Sequence, residues 1–242
     1  MSATVYVDSG QYEHLLQTIK SHHISTAAVS DVLDGLGVVS TLNSRITLCN
    51  VPELANLPVF GQAHTIRWLP VRKSNSIHSS GSSTWQQVRE FLCPTLEDGR
   101  GKVYVAGAGP LLTEGALAGG MSCTYFQEKL KFEGVILGGA VRDCEQIREL
   151  HMPVYSSNYI PTDTQGAWLA RDSGGECVID NVAIKNGDWI LADLNGVVVI
   201  PPSQVSEILQ KAKQIEENES RTLAKIRAGA NLVELIEGGN HI

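Results

Sequence analysis

The chain has 242 residues, and its 19 lysines and arginines against 26 aspartates and glutamates give a net charge of −7. This acidic balance argues against general binding of nucleic acids or anionic membranes, which requires a basic surface. Hydrophobic residues make up 43% of the chain, as in an ordinary soluble domain, and we expect neither a signal peptide nor a membrane span. The five cysteines lack CxxC spacing, so we expect reduced thiols in a cytoplasmic protein.

The first half of the chain predicts helices, a strand and a polar loop. Helical spacing of apolar residues indicates helices at 12–20, 25–35 and 84–92. Ser25 is placed to cap the second of these helices. Residues 61–69 alternate as a half-buried strand does. Residues 72–83 are the most polar stretch of the chain and fit either a linker or a mobile active-site loop.

The second half alternates strands with helices and then forms a meander. Buried strands are predicted at 102–106 and 134–139, helices at 116–131 and 143–150, and further strands at 177–184, 188–193 and 197–200. A long, charged helix closes the chain at about 203–228. This order predicts an α/β protein with mixed strand pairing. We expect a single domain over residues 1–242, with its core at about 20–202.

Common nucleotide and hydrolase motifs are weak or missing. Gly107-Ala108-Gly109 follows a strand, but Leu112 stands where the third glycine of GxGxxG belongs, so a Rossmann nucleotide site is a weak interpretation. Neither GxxxxGK[ST] nor GxSxG occurs. The chemistry must therefore be sought elsewhere.

The strongest pattern is the buried strand 134–139, which runs through a glycine pair to Arg142 and Asp143 at the start of a helix. Ligands collect where strand ends face a helix N-terminus. An arginine fork matches a carboxylate, and an aspartate can hold a hard divalent cation. The pattern favours a site for a small α-keto acid. The alternative is a capping aspartate beside an incidentally paired arginine.

The sequence GVILGGAVRD, at 134–143, resembles the signature strand of the family that contains regulator of ribonuclease activity A and the class II 4-hydroxy-4-methyl-2-oxoglutarate aldolases. Three further stretches agree with that family in order and spacing, namely 25–37, 61–65 and 186–201. The resemblance extends over roughly residues 20–230.

This resemblance implies a swivelling β/β/α fold in three layers, and a homotrimer or homohexamer with sites between subunits. It implies that Asp143 holds Mg²⁺ or Mn²⁺ and that Arg142 holds the pyruvyl part of the substrate. The backbone of Gly119, Gly120, Met121 and Ser122 would bind the substrate carboxylate. The metal, acting as a Lewis acid, would stabilise a pyruvate enolate after the carbon–carbon bond breaks.

One departure from the family lies in the segment before the signature strand. The aldolases usually carry an acid that orders the metal's water molecules, and Gly120 stands at that position here. Glu114 could replace this acid from a shifted loop. Backbone amides around Gly120 could still bind a carboxylate, because that role needs no side chain.

A further acid comes, in the aldolases, from the C-terminal helix of a neighbouring subunit. Glu216, Glu217 and Glu219 are available on this helix, and position favours Glu219; a solvated helix face is the alternative for each of them. His64 lies within an alternating strand and is interpreted as structural. His78 lies in the polar loop, where it could contact substrate.

The leading hypothesis is a divalent-metal-dependent lyase that cleaves or decarboxylates a small α-keto carboxylate. Its catalytic residues would be Arg142, Asp143 and Glu219. One alternative is a non-catalytic, protein-binding regulator of an RNA-degrading enzyme. Another is a lyase with a new substrate, whose pocket is reshaped by the 72–83 loop.

Overall fold

The computed structural model describes residues 9–50, 58–71 and 89–237. The 72–83 loop, His78 and most of the predicted helix at 84–92 lie outside the described residues. The last residues of that predicted helix, Arg89–Leu92, form a short 3₁₀ helix.

Within the described residues the chain forms six α-helices: α1 (Ser9–His22), α2 (Thr26–Gly35), α3 (Gly120–Tyr125), α4 (Cys144–Arg148), α5 (Val205–Arg227) and α6 (Leu232–Glu237). A π-helical turn, Phe126–Leu130, continues α3. Ser25 caps α2 as predicted, because its hydroxyl accepts the Ala28 N–H at 3.1 Å. No helix in the described segments is both long enough and apolar enough to cross a membrane.

The same residues form twelve strands: β1 (Thr47–Leu48), β2 (Val59–Pro70), β3 (Lys102–Gly107), β4 (Leu112–Ala118), β5 (Gly134–Leu137), β6 (Gly139–Val141), β7 (Val154–Ser156), β8 (Trp168–Ser173), β9 (Glu176–Ile179), β10 (Val182–Lys185), β11 (Trp189–Asp193) and β12 (Gly196–Ile200). The large sheet has the order β1-β7-β5-β3-β2-β11-β12, with β8 on β2. β2, β3, β5 and β7 are parallel, and the other pairs in this sheet are antiparallel.

The large sheet is buried on both faces, which explains why its central strands are almost uniformly apolar. Toward the β12 edge, α1, α2 and α5 pack on one face. Toward β5, that face is covered by α3 and its π turn. The opposite face packs against the β9–β10 hairpin. Helices, large sheet and hairpin form three layers, and the C-terminal helix predicted at about 203–228 is α5.

The largest difference from the sequence-based prediction lies at the glycine-rich segment. Residues 116–131 were predicted to be one helix, but Ala116–Ala118 belongs to β4 and pairs in parallel with β6. The helix begins only after Gly119, which has an extended backbone. The prediction was wrong there because helical periodicity in a short apolar run does not distinguish a buried strand from a helix.

The predicted strand at 134–139 is likewise two strands. At Gly138 the chain leaves the large sheet, and β6 pairs with β4 in a separate two-stranded sheet. A side chain at Gly138 would lie 2.8 Å from Ile179 Cγ1, so glycine is needed where the chain passes the hairpin. The predicted strand at 177–184 is also divided, because Asp180 turns the chain with a φ of +57° between β9 and β10.

Candidate active site

Arg142 and Asp143 follow β6 directly, and the strand pairing fixes their position. The Arg142 N–H donates to the Ala118 carbonyl at 3.1 Å, which ties the residue to the end of β4. Asp143 then adopts a left-handed backbone with a φ of +60° and turns the chain into α4. Its side chain makes no capping hydrogen bond to that helix. The simple capping interpretation therefore does not describe what this carboxylate does.

The Asp143 carboxylate instead contacts the start of α3. Its Oδ2 accepts the Gly120 N–H at 3.0 Å. A β-carbon at Gly119 would lie 2.6 Å from this oxygen and 2.9 Å from Arg142 Cγ. Since real side chains do not approach so closely, glycine at position 119 allows the Arg142-Asp143 pair to pack against the backbone.

Asp163 is the site residue that sequence reasoning missed. Its Oδ2 accepts a hydrogen bond from Arg142 Nη1 at 3.0 Å, while Arg142 Nε lies 3.6 Å from Asp143 Oδ2. The Thr162 carbonyl accepts the Ala116 N–H at 2.9 Å, and this bond brings the loop of Asp163 beside β4. The sequence offers only a polar turn after Pro161, with nothing to connect that turn to Arg142.

Asp163 is itself held by its neighbours in the loop. Its Oδ1 accepts hydrogen bonds from Thr164 Oγ1 at 3.2 Å and from Gln165 N at 3.3 Å, and its Oδ2 accepts one from Gln165 Nε2 at 3.1 Å. With the Arg142 contact, the carboxylate accepts four hydrogen bonds. Because both partners of the ion pair are held, the Arg142 guanidinium has a defined direction.

These groups surround a cavity of about 170 Å³. Buried Trp68 and Phe91 form part of its wall, and Met121 is 71% exposed. The remaining lining residues are Ala116, Leu117, Ala118, Gly119, Ser122, Arg142, Asp143, Gln146, Asp163, Thr164 and Gln165. A wider depression of about 540 Å³ shares Arg142, Asp143 and Gln146 with this cavity. The arrangement combines one cation, two carboxylates and an apolar wall.

The structure brings most of the predicted substrate-binding residues to this cavity, although two of the four backbone amides are already used. The Gly120 N–H binds Asp143, and the Gly119 N–H donates to Ser122 Oγ at 3.0 Å. The amides of Met121 and Ser122 lie in the first turn of α3, where no acceptor within the helix exists. Substrate binding by this segment stays a prediction.

The other predicted acids lie away from the cavity of their own chain. Glu114 is exposed on β4 and does not line it. Glu216 accepts the Ser25 N–H at 2.9 Å, and Glu217 lies 3.7 Å from His22 Nδ1. Glu219 is partly exposed on α5 and outside the cavity lining. Its role from a neighbouring subunit stays a prediction.

Burial shifts the pKa of two titratable groups near the core toward the neutral form. Burial, aided by the positive charge of Lys102, lowers the pKa of His64 to about 4, and the ring lies 3.0 Å from Ser173 Oγ. This contact agrees with the structural interpretation of His64. Burial raises the pKa of the Cys123 thiol to about 12, so this cysteine behind the cavity is not a nucleophile at neutral pH.

The donor set of the cavity suits a magnesium-type ion. In the described part of the chain, no three histidine, cysteine, aspartate or glutamate side chains form a cluster that could hold a metal ion. Mg²⁺ does not require such a cluster, because proteins bind it through one or two carboxylates and leave several water ligands in place. Asp143 and Asp163 both line the cavity, and Asp143 has the carboxylate that accepts fewer hydrogen bonds.

Several known proteins are similar in sequence to this chain. A Halalkalibacterium halodurans protein, provisionally named 4-hydroxy-4-methyl-2-oxoglutarate aldolase, is 30% identical over 200 residues, which cover 79% of each chain. Protein DlpA of Legionella pneumophila is 27% identical over 231 residues, or 96% of this chain and 34% of DlpA. The chain therefore spans about a third of the length of DlpA.

Solved structures share the fold. A Pseudomonas syringae pv. tomato protein superposes with a TM-score of 0.71 at 22% identity, covering 92% of this chain and 96% of that one. Streptomyces coelicolor RraAS2, described as an unusual member of the RNase ES inhibitor RraA protein family, gives a TM-score of 0.68 at 25% identity, with coverages of 88% and 98%. The predicted fold class is confirmed.

The family profile described as "RraA-like: Aldolase/RraA" matches residues 26–199. This match includes β2, the segment between β4 and α3, and the turn that carries Arg142 and Asp143. The chain therefore belongs to the RraA-like family.

Proposed function

We propose that the protein is a divalent-metal-dependent lyase that cleaves or decarboxylates a small α-keto carboxylate. The observation that carries this proposal is the convergence of Arg142, Asp143 and Asp163 on one cavity, with the guanidinium fixed 3.0 Å from Asp163. The provisional aldolase name of the Halalkalibacterium halodurans relative, at 30% identity, supports the reaction class.

Arg142 would bind the substrate carboxylate. A guanidinium has five N–H donors, and one of them donates to Asp163. The others remain for a planar carboxylate, which arginine binds with two parallel hydrogen bonds. Because Asp163 and the adjacent backbone hold the arginine, little side-chain freedom is lost when the substrate binds.

Asp143 would hold Mg²⁺ or Mn²⁺, directly or through water, while Asp163, whose two oxygens already accept hydrogen bonds, would remain the counter-ion of Arg142. The chemistry that such an ion supplies is Lewis-acid polarisation of the keto oxygen. The contact from the Gly120 N–H fixes Asp143 Oδ2 and orients the carboxylate. The left-handed backbone at Asp143 is a strained conformation of the kind that proteins retain at functional sites.

The reaction also needs a proton acceptor. In a retro-aldol cleavage, a base takes the hydroxyl proton, the carbon–carbon bond breaks, and the pyruvyl carbon regains a proton. Asp163 already accepts four hydrogen bonds, so it serves as the counter-ion of Arg142. A water molecule ordered by Glu219 of a neighbouring copy would take the proton.

The proposal is tested by measuring pyruvate release from a panel of keto acids that includes oxaloacetate and 4-hydroxy-4-methyl-2-oxoglutarate. We expect release with Mg²⁺ or Mn²⁺ and loss of release with a chelator. Absence of release from every compound, with either ion, would contradict a lyase of this class. Release from a different keto acid alone would identify a lyase with a new substrate.

The contribution of Glu219 requires an oligomer. Light scattering should give three or six times the chain mass of 26.1 kDa. Glu219→Gln should lower kcat without changing this mass, whereas Glu216→Gln should affect stability, because Glu216 holds the Ser25 backbone. A fully active monomer would exclude a catalytic role for Glu219 in a neighbouring subunit.

A second candidate function is regulation of an RNA-degrading enzyme by protein binding. It is favoured by the 25% identity to RraAS2 over 88% of this chain. Inhibition of an RNase E-type nuclease by wild type and by Arg142→Ala alike, without pyruvate release, would support this function over the lyase.

A further inference from the structure

The start of α4 carries a second polar side chain into the cavity. Gln146 lies three residues after Asp143, and residues at this spacing share one helix face. Asp143 and Gln146 both line the cavity and the wider depression beside it. Gln146 therefore stands where the two spaces meet.

Gln146 does not make the hydrogen bond that its position favours. At the third position of a helix, glutamine commonly reaches back to the backbone of the capping residue. At Asp143 no side-chain capping contact is present. Among the described residues the side-chain amide of Gln146 has no hydrogen-bond partner. Its two N–H donors are thus available to a ligand, whereas its carbonyl oxygen lies against Gly120.

The side chain of Gln146 lies over Gly120. A β-carbon on Gly120 would overlap Gln146 Oε1 and would lie 2.6 Å from Gln146 Cβ. Any residue at position 120 that has a β-carbon would therefore force Gln146 out of its observed position. This also means that an acid cannot be introduced at position 120 without moving Gln146.

We propose that Gln146 is a specificity-determining residue that hydrogen-bonds an oxygen of the substrate, beside the carboxylate held by Arg142. The proposal rests on the lyase function above. The physical basis of the proposal is the space that glycine leaves at position 120. The neutral amide of Gln146 occupies this space next to Asp143, and any larger residue at position 120 would displace the amide. The amide carries no charge, so this contact does not titrate between pH 5 and 9.

The test compares Gln146→Ala, Gly120→Ala and the double variant in pyruvate release and in calorimetric binding of pyruvate with Mg²⁺. We expect Gln146→Ala to raise KM about fivefold to tenfold, with kcat within twofold of wild type, because one neutral hydrogen bond is lost. The matched control is Gln17→Ala, which truncates an exposed glutamine on α1. This variant should leave KM and kcat unchanged.

Gly120→Ala should raise KM by a similar factor by displacing Gln146, and the double variant should be no worse than either single variant. If Gly120→Ala does not fold, the KM and pyruvate affinity of Gln146→Ala are sufficient to test the proposal. An unchanged KM and pyruvate affinity in Gln146→Ala, or an effect on kcat only, would overturn the proposal. Wild type that neither binds pyruvate nor releases it would instead refute the lyase function, and with it the role of Gln146.

Discussion

Two of the arginine–aspartate pairs among the described residues have similar contact distances but different surroundings. Arg100 and Asp98 lie 2.7 Å apart just before β3, and the arginine side chain is 77% exposed. Arg142 and Asp163 lie 3.0 Å apart, and their side chains are 37% and 31% exposed. The Arg100–Asp98 pair is largely exposed to solvent. The Arg142–Asp163 pair shares its cavity with a second carboxylate, a glycine backbone and a buried tryptophan.

The difference teaches that the contact itself does not identify a site. Exposed ion pairs contribute little to stability, because solvent screens them and ordering two side chains opposes them. At the cavity, the neighbours of the pair decide what it can do. Asp163 fixes one edge of the guanidinium, and Asp143 lies close to Nε. The pair before β3 is therefore the natural control for every variant in the cavity.

The largest expected effect is that of Asp143→Asn. If Asp143 holds the metal as proposed, its replacement should reduce pyruvate release about 1,000-fold, since Lewis-acid polarisation supplies several kcal/mol. Asparagine tolerates the left-handed backbone that position 143 adopts, so the melting temperature should change little. Calorimetric titration with Mn²⁺ should show weakened binding. Metal-stimulated release at the wild-type rate would exclude Asp143 as the metal ligand.

Arg142→Ala should have the next largest effect. Two charge-assisted hydrogen bonds to the substrate carboxylate would be lost, and kcat/KM should fall at least about 100-fold. Arg100→Ala removes an equally charged side chain from the exposed pair and should leave kcat/KM unchanged. Equal losses in both variants would mean that general charge, and not the placement of Arg142, drives substrate binding.

Asp163→Asn should have a smaller effect, because it leaves Arg142 in place but weakens its orientation. We expect kcat/KM to fall about tenfold, mainly through KM, because the acceptor of the Arg142 hydrogen bond loses its negative charge. Asp163→Glu should recover part of the loss by restoring the charge. If Asp163→Asn lowered only the melting temperature, with KM unchanged, Asp163 would be structural.

Much of the frame of this site follows from local sequence. Local signatures predicted the N-cap at Ser25, the long, charged helix α5 and a buried strand before Arg142 and Asp143, although that strand is divided at Gly138 into β5 and β6. The β4 strand was not predicted, because a short apolar run before two glycines fits a strand and a helix equally well. Its pairing with β6 decides the matter, and that pairing joins residues more than twenty positions apart.

Asp163 and Gln146 show why the site could be predicted only in part. Asp163 reaches Arg142 through a loop that an isolated backbone bridge, between Ala116 and Asp163, holds to β4, and no pattern near Pro161 indicates this. Gln146 shares a helical turn with Asp143, so its direction follows from the sequence. Its position over Gly120 does not, because it depends on how α3 and α4 pack.

The smallest expected effect is on the exposed pair itself, in the variant Asp98→Asn. Hydrogen bonds from Arg100 hold the pKa of Asp98 below its usual range in the folded protein. A carboxyl whose folded-state pKa is lowered stabilises the protein above its unfolded-state pKa of about 4, and this contribution is lost as the pH falls through the folded-state value. At pH 7 the variant should therefore melt lower than wild type, by no more than about 3 °C because the pair is exposed. The difference should begin to narrow as the pH falls below about 4, and it should vanish below the lowered folded-state pKa, where wild-type Asp98 is also neutral. Thermal unfolding followed by circular dichroism between pH 7 and pH 3 measures the difference in melting temperature and its decrease at low pH.

Pyruvate release by Asp98→Asn should match wild type at pH 7. A loss as large as that of Asp163→Asn would remove the functional distinction between the exposed pair and the cavity pair.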